Sequence, residues 1–406
     1  MKKRILFVDD EPKFLGLYRV LFESDKTAWD VAFASDAASA LQAMENTPSD
    51  VLVAKWHLPG MTGRELVSTV KERHPGTARI IASESADQEE VVKSLGARHQ
   101  FIARPVDLTA LRSTVWRVVA IQNADLDEKI ARLLSNDYRL PSLPSLYFRI
   151  LRAMESPDAS IEEVGEIIAQ DPAMTAKILQ VVNSAYFGLA RRISNITEAV
   201  QLLGTQKVRS MALSTQVFSC FDQARMKSFP LSRVWNHSIA ASQIAQKICR
   251  MERVDKATAE EAQLACMLHD VGKVVLASGD PDRYQEAVNL AAKRQVPMIE
   301  VETEFFGASH ADVGAYLLGL WGLPISVIEA IALHHAPDRT VLDHFTPLTA
   351  VHVANHLENE MSGPALDAES VPLDTDYLAR IGCEGRIDDW REAVQEVEIL
   401  ASAGGR

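Results

Sequence analysis

The sequence predicts a multidomain chain in which a doubly wound α/β domain of five βα units is followed by an all-α helical domain. Three observations predict it. The 406 residues suffice for two or three cores of ordinary size, and 47% hydrophobic with 24% charged residues is a globular rather than a disordered composition. Residues 1–120 alternate short, β-branched apolar runs with segments of helical spacing. Beyond Pro141 the strand signals nearly vanish, and helical patterns follow one another with short turns.

In chain order, RILFVDD, WDVAFAS, DVLVAKW, ARIIASES and QFIARP read as strands. FLGLYRVLFES, AASALQAMENT, GRELVSTVKERH and QEEVVKSLGA read as the helices between them, with a fifth helix after Asp107. Such alternation gives a parallel sheet with helices on both faces, which binds ligands at the carboxyl ends of its strands. Residues 121–138 are mostly polar, with one apolar stripe of Leu126, Ile130, Leu133 and Leu134. They form a linker helix whose stripe either packs on the next domain or seats a second chain in a homodimer. Over 139–340, IEEVGEIIAQ, AMTAKILQVVNSAYF, ITEAVQLLG and VRSMALSTQVF are helices, one of them opened by Asp171 and Pro172 as cap and first-turn proline. Residues 341–400 supply helices that complete or flank this core, and 401–406 is a frayed tail.

The net charge is −13, and it is unevenly placed: residues 1–120 carry 16 basic and 16 acidic residues, so the whole acidic surplus lies beyond them. Nucleic-acid binding lacks its electrostatic footprint, and no nucleic acid is expected as a partner. No run is long and uncharged enough to span a bilayer, and MKKR leads straight into a strand-like ILFV and Asp9-Asp10, unlike a signal peptide. A cytoplasmic protein without membrane contact is expected. Cys220, Cys249, Cys266 and Cys383 form no CxxC pair, which argues against a disulfide framework or a thiolate zinc site.

The strand ends carry the first cluster of chemistry: Asp9 and Asp10 after the first, Lys55 at the third, Ser83 at the fourth and Arg104 at the fifth. This spacing resembles the receiver domain of bacterial two-component response regulators, over residues 3 to about 120. The resemblance implies an acidic pair that holds Mg²⁺, an aspartate that accepts a phosphoryl group, a Ser or Thr that senses it and a lysine that contacts it. Asp9, Asp10 and Ser83 match, whereas the phosphoacceptor position is Lys55 and the lysine position is Arg104. An acyl phosphate needs a carboxylate nucleophile and Mg²⁺ needs negative charge, and lysine supplies neither. With two carboxylates facing two cations the pocket is expected near neutral, with no Mg²⁺. Lys55 either pairs with Asp9 or Asp10 in a locked pseudo-receiver or reaches out to solvent.

The helical half carries the second cluster: His237, the adjacent His269 and Asp270, His310, and the adjacent His334 and His335. An adjacent His-Asp pair on one helix offers two ligands about 100° apart around its axis, able to flank one metal or bridge two. These residues resemble the ordered signature H…HD…H…HH…D of the HD superfamily of metal-dependent phosphohydrolases. DPAMTAKILQVVNSAYFG, RISNITEAVQLLG, CMLHDVGKVVLA, FGASHADVGAYLLGLWGLP and AIALHHAP more closely resemble the HDOD domain, the regulatory relative of that superfamily. The resemblance makes all six residues metal ligands for Mn, Fe or Zn, places Lys273 beside a bound phosphate, and puts neutral Asn355 where the last aspartate belongs. Alternatively, the histidines form a buried hydrogen-bonded network with Lys273 paired to Asp270. No GYP follows His335, which argues against the cyclic-di-GMP phosphodiesterase branch.

The resemblances imply a bacterial signal-transduction regulator. A non-phosphorylatable receiver-like domain is coupled to an HDOD module that contacts signalling proteins or senses a nucleotide or other small ligand. The rival is a metal-dependent HD-type phosphodiesterase or phosphohydrolase acting on a nucleotide. The missing carboxylate at Asn355 favours the first, and the retained His and Asp ligands favour the second.

Overall fold

The computed structural model describes residues 2–23, 29–74, 76–83, 99–104, 106–121, 130, 133, 161–170, 172–182, 193, 195–219, 229–321, 323–362 and 371–394. The expected linker helix over 121–138 lies outside the described residues except at Ile121, Ile130 and Leu133, as do QEEVVKSLGA, Asp171, Cys220 and the tail. The chain divides into two compact units, residues 1–131 with 315–329 and 339–341, and the remainder.

The first unit is built on five parallel strands, β1 (Lys3–Val8), β2 (Trp29–Ala34), β3 (Val51–Lys55), β4 (Ala78–Ser83) and β5 (His99–Ala103), in the order β2-β1-β3-β4-β5. Helices Pro12–Glu23, Ala37–Asn46, Gly63–Arg73 and Leu108–Ile121 accompany them. Because β1 lies between β2 and β3, the winding reverses there, and the carboxyl ends of β1 and β3 frame the crevice where such sheets bind ligands.

Alternation along β1 divides the core. Leu6 and Val8 join Leu52, Ala54 and Ile81 against Ala37, Ala40, Met44, Leu66, Val67 and Val70. Phe7 faces the other way, its ring centroid 4.9 Å from that of Tyr18 and 5.1 Å from that of Phe22. Each such fully buried side chain contributes roughly 1.5–3 kcal/mol. Helix starts are fixed locally: Asp36 accepts from the Ser39 amide at 2.8 Å, and Thr62 with Glu65 forms a reciprocal capping box. The loop after β3 turns at Gly60, with φ +78°, and folds back so tightly that a Cβ on Gly63 would lie 2.1 Å from the Lys55 carbonyl oxygen. That close return packs the loop onto the end of β3.

The second unit is helical. Its long helix Leu231–Met251 packs against Lys256–Leu268 and Pro347–Ser362, and the small residues Ala241, Ala245, Ala262, Ala265, Ala350 and Ala354 on these three helices are buried. Pro347 occupies a first-turn position where no helical amide bond is lost. The C-terminal stretch is tied in by polar bonds: Tyr377 and Thr349 share a hydroxyl contact at 2.7 Å, and the buried Trp390 indole donates to Glu252 at 2.9 Å. Cys249, Cys266 and Cys383 are buried free thiols. Among the described residues no helix is long and apolar enough to cross a membrane.

Candidate metal centre and receiver pocket

At the carboxyl ends of the strands, Lys55 Nζ lies 2.6 Å from Asp10 Oδ1 and 2.9 Å from Glu11 Oε1. Arg104 Nη2 lies 3.1 Å from the buried Asp9 Oδ2 and 3.7 Å from Glu11 Oε1, with its guanidinium 4.2 Å over the Phe14 ring. Asp9 Oδ1 accepts from the Glu11 amide at 3.0 Å. Lys55, Ser83 and Arg104 line one open cavity of about 370 Å³ with Glu11, Phe14, His57 and Ala82. The five strand-end residues lie together at the carboxyl ends of the strands. Glu11 joins them, so three carboxylates face two cations rather than the two facing two expected. Glu11 was overlooked because its reach across the pocket leaves no local periodic signal.

Burial pushes the Asp9 carboxyl above its ordinary range, and the Glu11 amide, Arg104 and Lys55 only partly offset this. The Lys55 hydrogen bond holds Asp10 below its ordinary range. For Lys55, partial burial opposes the charge, but the bonds to Asp10 and Glu11 outweigh it and raise the ammonium pKa.

In the second unit the His-Asp pair does not sit within one helix as expected. Lys256–Leu268 stops before His269, and a new helix, Val271–Gly279, starts after Asp270. The cause is close packing: a Cβ on Gly272 would lie 1.9 Å from the His310 carbonyl oxygen, so the chain redirects where a glycine lets it meet the next segment. His310 opens helix His310–Leu320, and His334 and His335 follow directly on Ile325–Leu333. Five of the candidate ligands thus come from helix ends, where backbone direction changes and neighbouring side chains can converge; only His237 lies mid-helix.

The ligand atoms form two groups, each within 4.8 Å: His237 with His269 and Asp270, and His310 with His334 and His335. Asp270 joins them, its Oδ1 lying 3.6 Å from His269 Nε2 and 3.4 Å from His310 Nε2, and its Oδ2 3.1 Å from Lys273 Nζ. The tautomers follow from acceptor-only partners. His269 Nδ1 donates to the Cys266 carbonyl at 2.7 Å and His334 Nδ1 to the Ile331 carbonyl at 2.7 Å. His310 Nδ1 donates to Glu302 Oε2 at 2.5 Å, and His237 Nδ1 bonds the Glu358 carboxylate. All four Nε2 atoms are left with their lone pairs turned inward.

That arrangement could hold a cation. His237 Nε2 and His269 Nε2 are 3.1 Å apart, as are His310 Nε2 and His335 Nε2, and the buried His334 Nε2 has no hydrogen-bond partner among the described residues. Two nitrogens bound to one ion at about 2.0–2.1 Å stand roughly 2.9–3.4 Å apart at right to tetrahedral angles. Imidazoles and a carboxylate, with carboxylates behind His237 and His310, are the donor set and backing of a first-row transition metal. Asn355 is buried on Pro347–Ser362, and its Oδ1 accepts from Asn359 at 3.1 Å. Glu358, one turn further on that helix, instead backs His237.

Burial disfavours charge on all of these groups. It drives His269 down to about 4 and His334 and His335 well below the ordinary imidazole value. For His237, the Glu358 bond and the Asp270 charge outweigh burial and raise the pKa; for His310, the Glu302 carboxylate does so. Burial also opposes the Asp270 charge, but Lys273 and the surrounding imidazoles hold its carboxyl well below the usual range. Glu302 and Glu358 were missed in the sequence. Glu358, three residues past Asn355 on one helix face, was the more accessible of the two.

Comparison with known proteins agrees with both halves. Residues 5–116 match the response regulator receiver domain, and residues 140–337 match the HDOD domain. An uncharacterized protein of Treponema pallidum is 26% identical over 289 residues, 70% of this chain and 55% of that protein. This chain thus spans about half the length of that relative. A cyclic di-GMP phosphodiesterase of Thermotoga maritima is 23% identical over 82% of this chain and 70% of its own. The crystal structure of an HDOD domain protein of unknown function from Geobacter sulfurreducens, 24% identical, covers 69% of this chain and 97% of that one with a TM-score of 0.56, a likeness of fold. The chain carries a response regulator receiver domain at residues 5–116 followed by an HDOD domain at residues 140–337.

Proposed function

We propose that this protein is a signal-transduction regulator whose receiver domain is held in one state by fixed charge pairs. Its HDOD domain binds a divalent transition metal and acts by contacting signalling proteins or sensing a small ligand. The observation that carries this reading is the Lys55 ammonium, 2.6 Å from Asp10 and 2.9 Å from Glu11. It lies among the carboxylates that would otherwise hold Mg²⁺, at the position where a phosphoryl group would need a carboxylate. The test is incubation of the whole chain with acetyl phosphate and Mg²⁺, read by intact mass. No phosphoryl addition is expected, and an adduct mapping to Asp9 or Asp10 would overturn the reading.

A second reading is a metal-dependent phosphodiesterase or phosphohydrolase acting on a nucleotide. The observation favouring it is the inward convergence of the Nε2 lone pairs around Asp270 with Lys273 beside it. His237, His269, Asp270, His310, His334 and His335 would hold the metal, which would supply Lewis-acid activation of water toward a phosphoester. Lys273 would steady the anionic substrate, while Glu302 and Glu358 orient the imidazoles. Hydrolysis of cyclic or linear nucleotides by the metal-loaded protein, lost in the double variant His269→Ala and Asp270→Ala, would select this reading. Metal binding without turnover would select the first.

A further inference from the structure

Outside the metal cluster, the described residues line a half-open apolar pocket of about 210 Å³ formed by Phe229, Pro230, Ala277, Pro281, Tyr284 and Val288, with Gln285. Two of its walls lead to the cluster. Ala277 lies on Val271–Gly279, the helix that begins directly after Asp270 and carries Lys273 one turn earlier. Tyr284, on Pro281–Arg294, is buried; its ring forms part of the lining, and its hydroxyl donates to Glu302 Oε1 at 3.2 Å. The other oxygen of that buried carboxylate accepts from both the amide of His310, at 2.8 Å, and its Nδ1, at 2.5 Å. A continuous chain of hydrogen bonds therefore runs from the cavity wall to a candidate metal ligand.

We infer that this cavity binds a small aromatic molecule of one ring or indole size, and that its occupancy is transmitted to the metal centre through Tyr284, Glu302 and His310. The coupling rests on the metal-site reading above. Three properties support the ligand class. A dry apolar cavity of about 150 Å³ suffices to hold benzene, so the volume here admits a single ring and small fused systems. The lining is apolar, and the Phe229 and Tyr284 rings already meet edge-on with centroids 5.7 Å apart, the geometry in which a further aromatic ring packs favourably. Tyr284 cannot shift toward or away from a guest without changing its bond to Glu302. Glu302 is buried and shared with His310, so its orientation sets the direction and basicity of that imidazole.

The experiment uses the whole chain, with indole as probe and two readouts: the histidine Nδ1–H resonances by NMR, which need no metal, and the apparent affinity for Mn²⁺ or Zn²⁺ by competition titration. Indole is expected to bind saturably, to move the His310 Nδ1–H resonance, and to change metal affinity about threefold or more. Tyr284→Phe, which keeps the ring but removes the hydroxyl, is expected to bind indole with neither effect on His310 nor on the metal. Val288→Trp, which fills the cavity from a half-buried position, is expected to abolish binding while leaving the histidine resonances in place. Absence of saturable binding overturns the inference, as does an unmoved His310 resonance in the wild type or an undiminished shift in Tyr284→Phe. If the wild type holds no metal at all, the metal-site reading and the coupling to it fall, and the NMR readout still reports separately on the cavity and the relay.

Discussion

His237 and His269 face each other through their Nε2 atoms at 3.1 Å while both Nδ1 atoms are committed elsewhere, one to the Glu358 carboxylate and one to the Cys266 carbonyl. Two inward lone pairs at that distance repel unless a proton or a metal ion lies between them. Without metal, His237 carries that proton, because its pKa is raised whereas that of His269 is lowered to about 4.

Metal binding is therefore expected to release protons. A group with a raised pKa stays protonated above the ordinary imidazole value of about 6.5, so in the range just above it the metal must displace protons from His237 and His310. Apparent affinity should rise with pH across that range. Calorimetric titrations in buffers of different ionisation enthalpy measure the protons released, and an affinity independent of pH between 6 and 8 would contradict the assignment.

The carboxylates behind the imidazoles should matter nearly as much as the ligands. Glu358→Gln retains an acceptor for His237 Nδ1 but removes its charge, so metal affinity should fall by about 10–100-fold with the helical fold retained. Competition titration with circular dichroism as a control tests this. An unchanged affinity would mean that His237 is oriented by its helix alone.

Gly272 tests the packing that places His310. Alanine there would put a Cβ 1.9 Å from a backbone oxygen, which has no flexible end to yield, whereas alanine at Gly314 meets the Val271 side chain at 3.2 Å. Gly272→Ala should destabilise by at least about 1–3 kcal/mol and weaken metal binding. Gly314→Ala should do less of both, and equal effects in denaturant melts and metal titrations would remove the argument.

The receiver pocket makes the complementary prediction. Lys55→Asp removes the ammonium that occupies Asp10 and Glu11 and adds a fourth carboxylate, so Mg²⁺ should bind, and acetyl phosphate should add one phosphoryl group at position 55. Binding is followed by the fluorescence of the buried Trp56 next to it, and the adduct by intact mass. Failure of Mg²⁺ to bind the variant would show that Arg104, bonded to Asp9, is by itself enough to close the site.

These sites were unequally legible in the sequence. Strand alternation brought Asp9, Asp10, Lys55, Ser83 and Arg104 to one edge of a sheet, because period-two burial and βα order depend only on local pattern. Glu11 escaped because a long side chain reaching across a pocket leaves no periodic trace. The histidine set was visible through its resemblance to the HDOD pattern, yet the placement of His269 and Asp270 within one helix was not correct. The break between them depends on Gly272 meeting the His310 carbonyl, a contact between residues far apart in sequence. Glu302 and Tyr284 were equally hidden, since each looks like an ordinary member of an amphipathic helix until the helices are packed.

His352 joins the segment that carries His334 to the C-terminal stretch and should make it acid-sensitive. Its Nδ1 donates to the His334 carbonyl at 2.8 Å, and its Nε2 accepts the Asp374 amide at 3.0 Å, an arrangement only the neutral ring can make. Burial lowers its pKa, and the bond to His334 only partly offsets this. Below about pH 6.5 the unfolded chain takes up a proton that the folded ring refuses, so the stability this group contributes is present above that pH and is lost as pH falls toward its folded value. His352→Gln keeps one donor and one acceptor but cannot titrate. At pH 7.5 the variant should be less stable by about 1–2 kcal/mol, and the gap should narrow as the pH is lowered to 5. Denaturant melts of both proteins across that range measure it. A gap that stays constant would mean that the folded His352 ring accepts the proton, and that the Asp374 amide does not depend on it.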